Sequence, residues 1–385
     1  MKSVLFNTHD LVLVITIYQC LLFALFLITF KKGRRVSNNL LALFLLAHAA
    51  ISLDILVWFG AAFHSFIEQH LPNAFFILRI GHWAEAPLLL FYVRSLVYKG
   101  PFFKKTDYLY FIPFAIALLD YIFNWFILSP ELKNNFLANY SLSTESIQSR
   151  LVYLFREVFR TALGVMCLIE IRRYQAHIKN EYADVEDIDL KWLKLLVVGF
   201  LGLRISAVVV SLSLISLYEF HIPLNTELMG LTGNYVFLLL LSLLIYFSLN
   251  STQVFSGIEA KHEELANAPP PPTTKEIEEI TLYMATQKPY LNHRLRLETF
   301  AKGTSLSPRR VSFVINRHFG KNFFEFINSY RIQESKNLLA DPNKADLTML
   351  EVMAKVGFNS KATFNTLFKS LVGQTPSQFR REHSK

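Results

Sequence analysis

Cysteine is scarce in this chain. Its 385 residues include only Cys20 and Cys167, and both lie inside apolar segments. Two thiols in such positions exclude a disulfide framework and a cysteine-rich metal site. The sequence also lacks a nucleophile elbow, a phosphate-binding loop and paired carboxylates at catalytic spacing. It therefore predicts neither an enzyme nor a bound metal or cofactor.

Charged residues are also few. Asp, Glu, Lys and Arg make up 18% of the chain, whereas 52% is hydrophobic and 35 residues are phenylalanine. Soluble domains average about 25% charged residues. The composition therefore excludes an ordinary soluble protein and predicts that most of the chain lies in lipid.

Long apolar runs predict seven membrane-spanning helices. The first run carries no charge, and basic residues follow it rather than precede it, which argues against a removable signal peptide. The predicted spans are residues 11–30, 40–62, 75–98, 108–128, 151–171, 193–218 and 232–249. Because this number is odd, the two ends of the chain should lie on opposite sides of the membrane.

Basic residues are nearly absent from every second loop between these spans. Residues 31–35, 99–105 and 172–194 contain twelve Lys or Arg, whereas the alternate loops contain two, Lys133 and Arg150. Loops rich in basic residues stay in the cytoplasm. The sequence thus predicts a multi-pass protein of the bacterial inner membrane, with its N-terminus outside and residue 250 onward in the cytoplasm.

The C-terminal part has two helix-turn-helix patterns in series. In the first, Ser307-Pro308 opens a helix that ends at Gly320, since serine caps and an early proline begin helices. In the second, Thr348 to Glu351 has the pattern of a capping box, Gly357 supplies the turn and Ser360 caps the next helix. Residues 323–339 have apolar residues at helical spacing, which predicts one helix that connects the two patterns.

This arrangement resembles the AraC-type DNA-binding domain. The residues that carry the resemblance are Gly320 to Phe324, Asn328 with Arg331, Val356 to Ser360, Phe364, Phe368-Lys369, Gly373, Thr375-Pro376 and Phe379-Arg380. The charge distribution agrees with it, because residues 1–272 have a net charge of +1 and residues 273–385 have one of +8. A basic excess is the electrostatic requirement for neutralising DNA phosphates.

The resemblance implies an all-α chain in three parts. Residues 1–250 would be a seven-span sensor domain, and residues 251–272 a juxtamembrane connector that ends in Pro269 to Pro272. Residues 273–385 would be the DNA-binding domain. The soluble sugar-binding barrel common in this family is absent from the sequence, so no sugar is predicted as the inducer.

Two exposed helix faces are the predicted DNA contacts. They comprise Arg309, Arg310, Ser312, Phe313 and Asn316 in the first unit, and Lys361, Ala362, Asn365 and Thr366 in the second. By the resemblance, all of these except Arg310 and Asn316 stand where base edges are read. Family members often have arginine where this chain has Phe313 and Thr366, which favours contact with thymine methyl groups over guanine recognition there. The alternative is that Arg309 and Arg310 form only a solvated basic face.

Ionisable residues within the predicted spans suggest a signal site, because charge at membrane depth is costly. The candidates are Asp54, Arg79, His82, Glu85, Asp120, Arg156, Glu157, Arg160 and Arg204. One interpretation is an outward-facing pocket for a small polar or amphiphilic signal, and the other is mutual pairing that holds the bundle together. His48 is interpreted as a core histidine with its own partner. Arg94 and Glu170 are interpreted as groups that reach the membrane surface.

The predicted function is a membrane-bound, sequence-specific transcription regulator. Its expected partners are double-stranded DNA, the lipid bilayer, RNA polymerase, a small-molecule signal and a second copy of the chain. The alternative is a transporter-like or enzymatic membrane protein with a C-terminal interaction domain. For signal transmission, the uncharged seventh span and the stiff proline spacer are predicted to act as a lever, with a passive tether as the alternative.

Overall fold

The chain is helical throughout the part that the computed structural model describes. The described residues are 6–29, 34–98, 102–139, 146–185, 190–222, 226–250 and 270–383. For residues 226–230 and 248–250 the description covers the backbone and not the side chains. Within these ranges no strand is present, and Tyr182 and Arg296 form an isolated antiparallel bridge. The all-α prediction is thus confirmed for the described residues. Residues 251–269, most of the predicted connector, lie outside the described residues.

The chain divides into two compact units. The first comprises Met1–Ile171 and Lys191–Ala260, and the second comprises Arg172–Leu190 and Lys261–Lys385. The α-helices that begin in the first unit are α1 (Thr8–Thr29), α2 (Arg35–Phe59), α3 (Ala61–His70), α4 (Gly81–Val97), α5 (Ile112–Tyr121), α6 (Pro130–Asn139), α7 (Ile147–Glu181), α8 (Lys191–Phe220) and α9 (Thr226–Asn250). Residue 171 lies within α7, so this helix contributes residues to both units.

Five helical segments are long and apolar enough to cross a membrane, not the seven predicted. Among the described residues they are Thr8–Thr29, Arg35–Phe59, Pro72–Val97, Lys105–Phe126 and Lys191–Phe220. The predicted span at 151–171 lies in α7, which includes several charged residues. The predicted span at 232–249 lies in α9, of which Leu231–Phe247 is an apolar stretch.

Large apolar side chains are exposed along these helices. On α1, Leu25 and Ile28 are each 59% exposed, and on the segment that contains α5, Ile116 and Phe123 are 61% and 66% exposed. Exposing such a side chain to water forfeits about 1.5–3 kcal/mol relative to burying it. A lipid environment removes this cost, so the exposed surface is suited to a bilayer.

Seven α-helices begin in the described part of the second unit. They are α10 (Thr274–Gln287), α11 (Leu297–Lys302), α12 (Pro308–Phe319), α13 (Phe323–Ala340), α14 (Met349–Lys355), α15 (Lys361–Val372) and α16 (Pro376–His383). Helices α11 and α12 form the first predicted pair, α14 and α15 form the second, and α13 is the predicted connecting helix.

The predicted caps are present at the helix starts. The Ser307 and Ser360 hydroxyls accept backbone N–H groups of Arg310 and Thr363, each at 3.3 Å. At Thr348 the box is reciprocal, because its hydroxyl accepts the Glu351 N–H at 3.2 Å while the Glu351 carboxylate accepts the Thr348 N–H at 2.7 Å. These bonds satisfy backbone donors that the first helical turn leaves without partners.

Helix α13 belongs to two apolar cores. Phe326 and Ile327 pack in a cluster with residues of α10 to α12, and Ile332 and Leu339 pack in a second cluster with residues of α14 to α16. One rigid helix therefore fixes the two helix-turn-helix units relative to each other.

Arg331 of α13 connects the segments that flank these cores. Its side chain is 1% exposed, and it donates from Nε to the Tyr290 carbonyl at 2.7 Å and from Nη2 to the Asn292 carbonyl at 2.8 Å. Its guanidinium carbon lies 5.5 Å from the centre of the Phe358 ring, next to the turn between α14 and α15. Burial lowers the pKa of Arg331 to about 10, so the side chain remains a cation at neutral pH.

Gly357 allows this turn to lie close to residues 290–291. Its φ of +90° is unfavourable for other residues, and a Cβ atom there would lie 2.5 Å from the Tyr290 carbonyl oxygen. Gly373 has a similar φ of +88° but no atom within 4 Å of the equivalent position.

We predict that Gly357→Ala destabilises the second helix-turn-helix unit, α14 and α15, more than Gly373→Ala does. Both variants bear backbone strain of about 1–3 kcal/mol, but only the first also creates a clash with the backbone. Urea unfolding of the detergent-solubilised chain, followed by hydrogen exchange in α14 and α15, measures the difference. Equal losses in the two variants would show that the close approach to Tyr290 is unimportant.

Candidate nucleic-acid interface and buried charge cluster

Helix α12 presents one polar face opposite its core contacts. Val311, Val314 and Ile315 are fully buried, whereas Arg309 and Asn316 are exposed. Since residues three and four apart share a helix face, the buried positions leave the side chains of the first turn accessible. Ser312 and Phe313 are half-buried at the border between the two faces.

Arg310 has a different environment from Arg309. Its Nε and Nη2 atoms donate to the two Glu276 carboxylate oxygens at 2.6 and 2.8 Å, and its Nη atoms also donate to the Pro270 and Pro271 carbonyls at 2.6 and 3.0 Å. These bonds lower the pKa of Glu276 to about 2. Arg310 therefore ties the start of α10 and the preceding prolines to α12, although it was predicted as a DNA contact.

Helix α15 presents the second polar face. Phe364 and Phe368 are buried in its core, and the four predicted contact residues are all exposed; they are Lys361, Ala362, Asn365 and Thr366. These residues fall on one side of the first two turns. The helix N-terminus also carries a partial positive charge, which favours nearby phosphates.

The geometry thus provides two short helices with exposed polar first turns, each preceded by a supporting helix. Such helices can enter a major groove and place side chains against base edges. Among the described residues there is no group of three or more His, Cys, Asp or Glu side chains that could hold a metal ion.

Comparison with known proteins identifies this region. A family described as "Helix-turn-helix domain" matches residues 300–382. Residues 300–382 form an AraC-type helix-turn-helix domain. No solved structure matches the chain.

Relatives of the AraC-type domain are named as regulators. The "Msm operon regulatory protein" of Streptococcus mutans is 31% identical over 88 residues, which are 23% of this chain and 31% of that protein. The "HTH-type transcriptional regulator GlxA" of Rhizobium meliloti is 31% identical over 81 residues, 21% of this chain and 24% of that protein. The "Probable transcription factor PqrA" of Proteus vulgaris is 26% identical over 89 residues, 23% of this chain and 70% of that protein.

The similarity to the first two relatives thus spans less than a third of their own length. Together with the matched domain, these names support DNA-binding transcription regulation for this chain. They concern only the last part of the chain, so they leave the role of the first unit open.

A buried charge cluster lies in the first unit, with Glu85 at its centre. This carboxylate is fully buried, accepts from His48 Nδ1 at 2.6 Å and is hydrogen-bonded to Arg160 Nη2. His48 is thus a core histidine with a partner, as predicted. Arg160 is 1% exposed and also contacts His82 Nδ1 at 3.2 Å.

Glu157 is the second carboxylate of this cluster. It accepts from Arg156 Nε at 2.9 Å and from Arg160 Nη1 at 2.9 and 3.0 Å. Arg204 lies 3.6 Å from Glu157 and 3.8 Å from Glu85, and its buried Nε has no hydrogen-bond partner. The arrangement therefore includes a guanidinium whose donors are incompletely satisfied.

Arg79 and Asp54 extend the cluster. Arg79 Nε lies 3.7 Å from the Asp54 carboxylate, and its Nη1 donates to the Tyr153 hydroxyl at 3.0 Å. Arg156 reaches the ring of the same tyrosine, with its guanidinium carbon 5.3 Å from the ring centre. The cluster thus contains four guanidiniums and three carboxylates, a net charge of +1.

Asp120 does not join these residues. It is exposed and accepts a hydrogen bond from Asn124, one turn further along the chain, at 2.7 Å. Sequence spacing within one span cannot show which side of a helix faces its neighbours, so it could not separate Asp120 from the residues that do meet.

Arg94 and Glu170 form a separate buried pair, which the sequence interpretation missed. Arg94 Nε donates to Glu170 at 3.0 Å, its Nη1 lies 3.1 Å from Asp107, and the Tyr98 hydroxyl donates to Glu170 at 2.8 Å. They were expected to reach the membrane surface, but both are less than 10% exposed. The available signal was their opposite charge at the same predicted depth.

We predict that Arg309→Ala weakens binding to the chain's preferred DNA site by about 1–3 kcal/mol and relaxes the preference at one base pair. The reason is that Arg309 is exposed in the first turn of α12. Lys369→Ala is the matched control, because its exposed position in the last turn of α15 suits a phosphate contact and should weaken all sequences evenly.

Full-length protein in detergent and a site recovered by selection from random DNA provide the measurement, at one fixed salt concentration. Equal losses for Arg309→Ala on selected and scrambled DNA would assign Arg309 to a solvated basic face.

Proposed function

We propose that this chain is a membrane-bound, sequence-specific transcription regulator whose transmembrane part responds to a signal. The observation that carries the proposal is the joining of an AraC-type domain to helices that expose apolar side chains along their length. The relatives named as regulators favour this function over a transporter or an enzyme with an interaction domain.

Seven crossings are proposed, although five segments meet the apolar criterion. The backbone N–H of Ala183 donates to the Leu295 carbonyl at 3.1 Å, so residue 183 and the AraC-type domain must lie on the same side of a bilayer. Between them α8 would cross once, and a return crossing is needed, for which α9 is the candidate. Likewise, if the basic loop near Lys105 is cytoplasmic, α7 must return the chain that leaves through residues 105–126.

This topology agrees with the orientation predicted from the basic residues in alternate loops. The N-terminus would be outside the cell, and the AraC-type domain would be in the cytoplasm, where it meets DNA and RNA polymerase. Two copies in one membrane could occupy the two halves of a symmetric site, since regulators commonly bind DNA as dimers.

The buried charge cluster is proposed as the signal-responsive element. Its side chains pair with one another, and such pairing stabilises a bundle only when each charge has sufficient partners. Arg204 lacks a partner for Nε, and the cluster retains one excess positive charge. A small signal with a negatively charged group would compensate both deficits, so an anionic or amphiphilic molecule is the expected class.

We predict cytoplasmic activity for topology reporters fused after Lys105 and Lys191, and external activity for fusions after Lys133 and Glu227. The fusion at Lys191 is decisive, because this position is external if α7 does not cross. Alkaline phosphatase and fluorescent-protein fusions at each site report the two sides independently. External activity at Lys191 would contradict the seven-crossing arrangement.

We predict that Glu85→Gln changes promoter output by about fivefold or more at unchanged protein abundance, a size typical of coupling between sites. The substitution keeps the shape but removes the charge that balances Arg160 and Arg204. Asp120→Asn is the control, because Asp120 lies in a predicted span but outside the cluster. Output is measured with a promoter reporter, and abundance by immunoblot of membranes. Lower abundance with unchanged output per molecule would assign the cluster to bundle stability alone.

A further inference from the structure

The segment that follows α7 docks onto the AraC-type domain through its backbone. Besides donating to Leu295, Ala183 accepts two hydrogen bonds at its carbonyl oxygen. One comes from Asn328 Nδ2 at 3.0 Å and the other from Arg331 Nη1 at 3.3 Å. Ala183 is 1% exposed and belongs to the apolar cluster formed by α10 to α13. The contact is therefore a buried, hydrogen-bonded part of this unit and not a loose approach of a loop.

Neighbouring side chains extend this contact. Tyr182 and Arg296 form the isolated antiparallel bridge, and the Arg296 guanidinium carbon lies 5.3 Å from the centre of the Tyr182 ring. Cation–π contacts of this kind contribute about 0.5–1 kcal/mol at exposed sites. Tyr182 thus holds the segment against the residues that immediately precede α11.

The docked segment lies at the junction of the two helix-turn-helix units. Leu295 and Arg296 lead into the first helix-turn-helix unit. Asn328 and Arg331 lie on the connecting helix α13. The Arg331 guanidinium also reaches the Phe358 ring, at the turn of the second helix-turn-helix unit. Residues 182–184 lie outside the matched residues 300–382, so this contact is an addition to the family domain.

We propose that residues 182–184, here called the strap, hold the two helix-turn-helix units in the arrangement that binds DNA, and that α7 connects the strap to the charge cluster. Helix α7 contains Arg156, Glu157 and Arg160 and continues to Glu181, immediately before the strap. At 1.5 Å per residue, the helix runs for about 32 Å from Arg160 to its end at Glu181. The signal end of this connection rests on the function proposed above.

Release of the strap has a direct physical consequence. Asn328 and Arg331 lose the Ala183 carbonyl as an acceptor, and a buried donor without a partner is destabilising. The segment before α11 also loses its attachment to α13. The first helix-turn-helix unit then has more orientations relative to the second helix-turn-helix unit, and ordering the two on DNA costs conformational entropy. DNA affinity should fall, although the exposed residues of α12 and α15 are unchanged.

This connection differs from the lever predicted for α9 and the proline spacer. The carbonyls of Pro270 and Pro271 are held by Arg310, on α12, whereas the strap is held by α13 and the segment before α11. Variants of the two attachments can therefore be made separately.

The first test replaces Ala183 with glutamate in the full-length protein, reconstituted in lipid nanodiscs. The larger charged side chain cannot fit the buried position, so it displaces the strap. Ala176→Glu is the matched control, because Ala176 is an exposed alanine of α7, seven residues before Ala183. We expect Ala183→Glu to weaken binding to the selected DNA site about tenfold and Ala176→Glu to leave it unchanged.

An unchanged or tighter affinity for Ala183→Glu would overturn the proposal. Protection of α14 and α15 in hydrogen exchange is measured on the same samples. Loss of protection across both helices would show that the variant unfolds the domain, and the decision then passes to the second test.

The second test locks the strap with a disulfide. Tyr182 and Arg296 are a directly opposed pair without mutual hydrogen bonds, and such pairs have Cα atoms about 4.5 Å apart, which suits a disulfide. Tyr182→Cys and Arg296→Cys are combined, and each single variant serves as a control for pairing with the buried Cys20 and Cys167. We expect rapid intramolecular oxidation in the double variant and full DNA affinity in the oxidised form.

The locked protein also tests transmission from the charge cluster. Adding Glu85→Gln should alter DNA affinity in the reduced protein but not in the oxidised protein, because the strap cannot move. Failure of the double variant to oxidise, or an equal Glu85→Gln effect in both redox forms, would overturn the proposal. If the wild-type chain itself binds no DNA site, the proposed function fails instead, and oxidation of the cysteine pair still tests whether the strap is docked.

Discussion

A buried guanidinium must be surrounded by acceptors, and this requirement organises both units of the chain. In the first unit the Nη atoms of Arg160 pair with the carboxylates of Glu85 and Glu157, whereas its buried Nε has no hydrogen-bond partner. In the second unit Arg331 is enclosed by the backbone carbonyls of Ala183, Tyr290 and Asn292. The five N–H donors of arginine allow one side chain to join several segments, which lysine cannot do in a fixed geometry. Each arginine therefore holds together segments that are distant in sequence.

The two arginines differ in how well their surroundings are matched. Arg331 donates hydrogen bonds to neutral carbonyl groups, and these bonds fix its position. Arg160 shares its carboxylates with Arg156 and Arg204, so the charge cluster has more cations than anions. An environment that is incompletely balanced can have two packings of similar free energy, and a ligand that prefers one of them shifts the population. This property makes the cluster the better candidate for sensing and Arg331 the better candidate for transmitting orientation.

The position of α7 links these two properties. The similarity to the named relatives covers less than a quarter of this chain. The strap lies outside residues 300–382, and it contacts the domain where α13 joins the two helix-turn-helix units. A short backbone contact at a junction can change the relative orientation of two units without altering either reading face.

Much of the AraC-type domain could be predicted from the sequence because its signals are local. Ser307, Ser360 and the Thr348–Glu351 box act on the backbone within three residues, and Gly320, Gly357 and Gly373 have the positive φ angles that glycine tolerates. The exposed faces of α12 and α15 followed from helical periodicity. The apolar character of the first unit was equally local, although the charged residues of α7 keep its predicted span from meeting the same apolar criterion.

The tertiary structure alone decided which charges meet. Asp120 and Glu85 both lie in predicted spans, but only the second faces other helices, because helix rotation depends on packing and not on the chain's own spacing. Arg309 and Arg310 are adjacent in sequence, yet Arg310 is taken up by Glu276 and two proline carbonyls. Contact of Ala183 with Asn328 and Arg331 joins residues more than a hundred positions apart. Sequence determined the helices, their caps and the exposed faces of α12 and α15, whereas long-range partners were settled only when the helices packed.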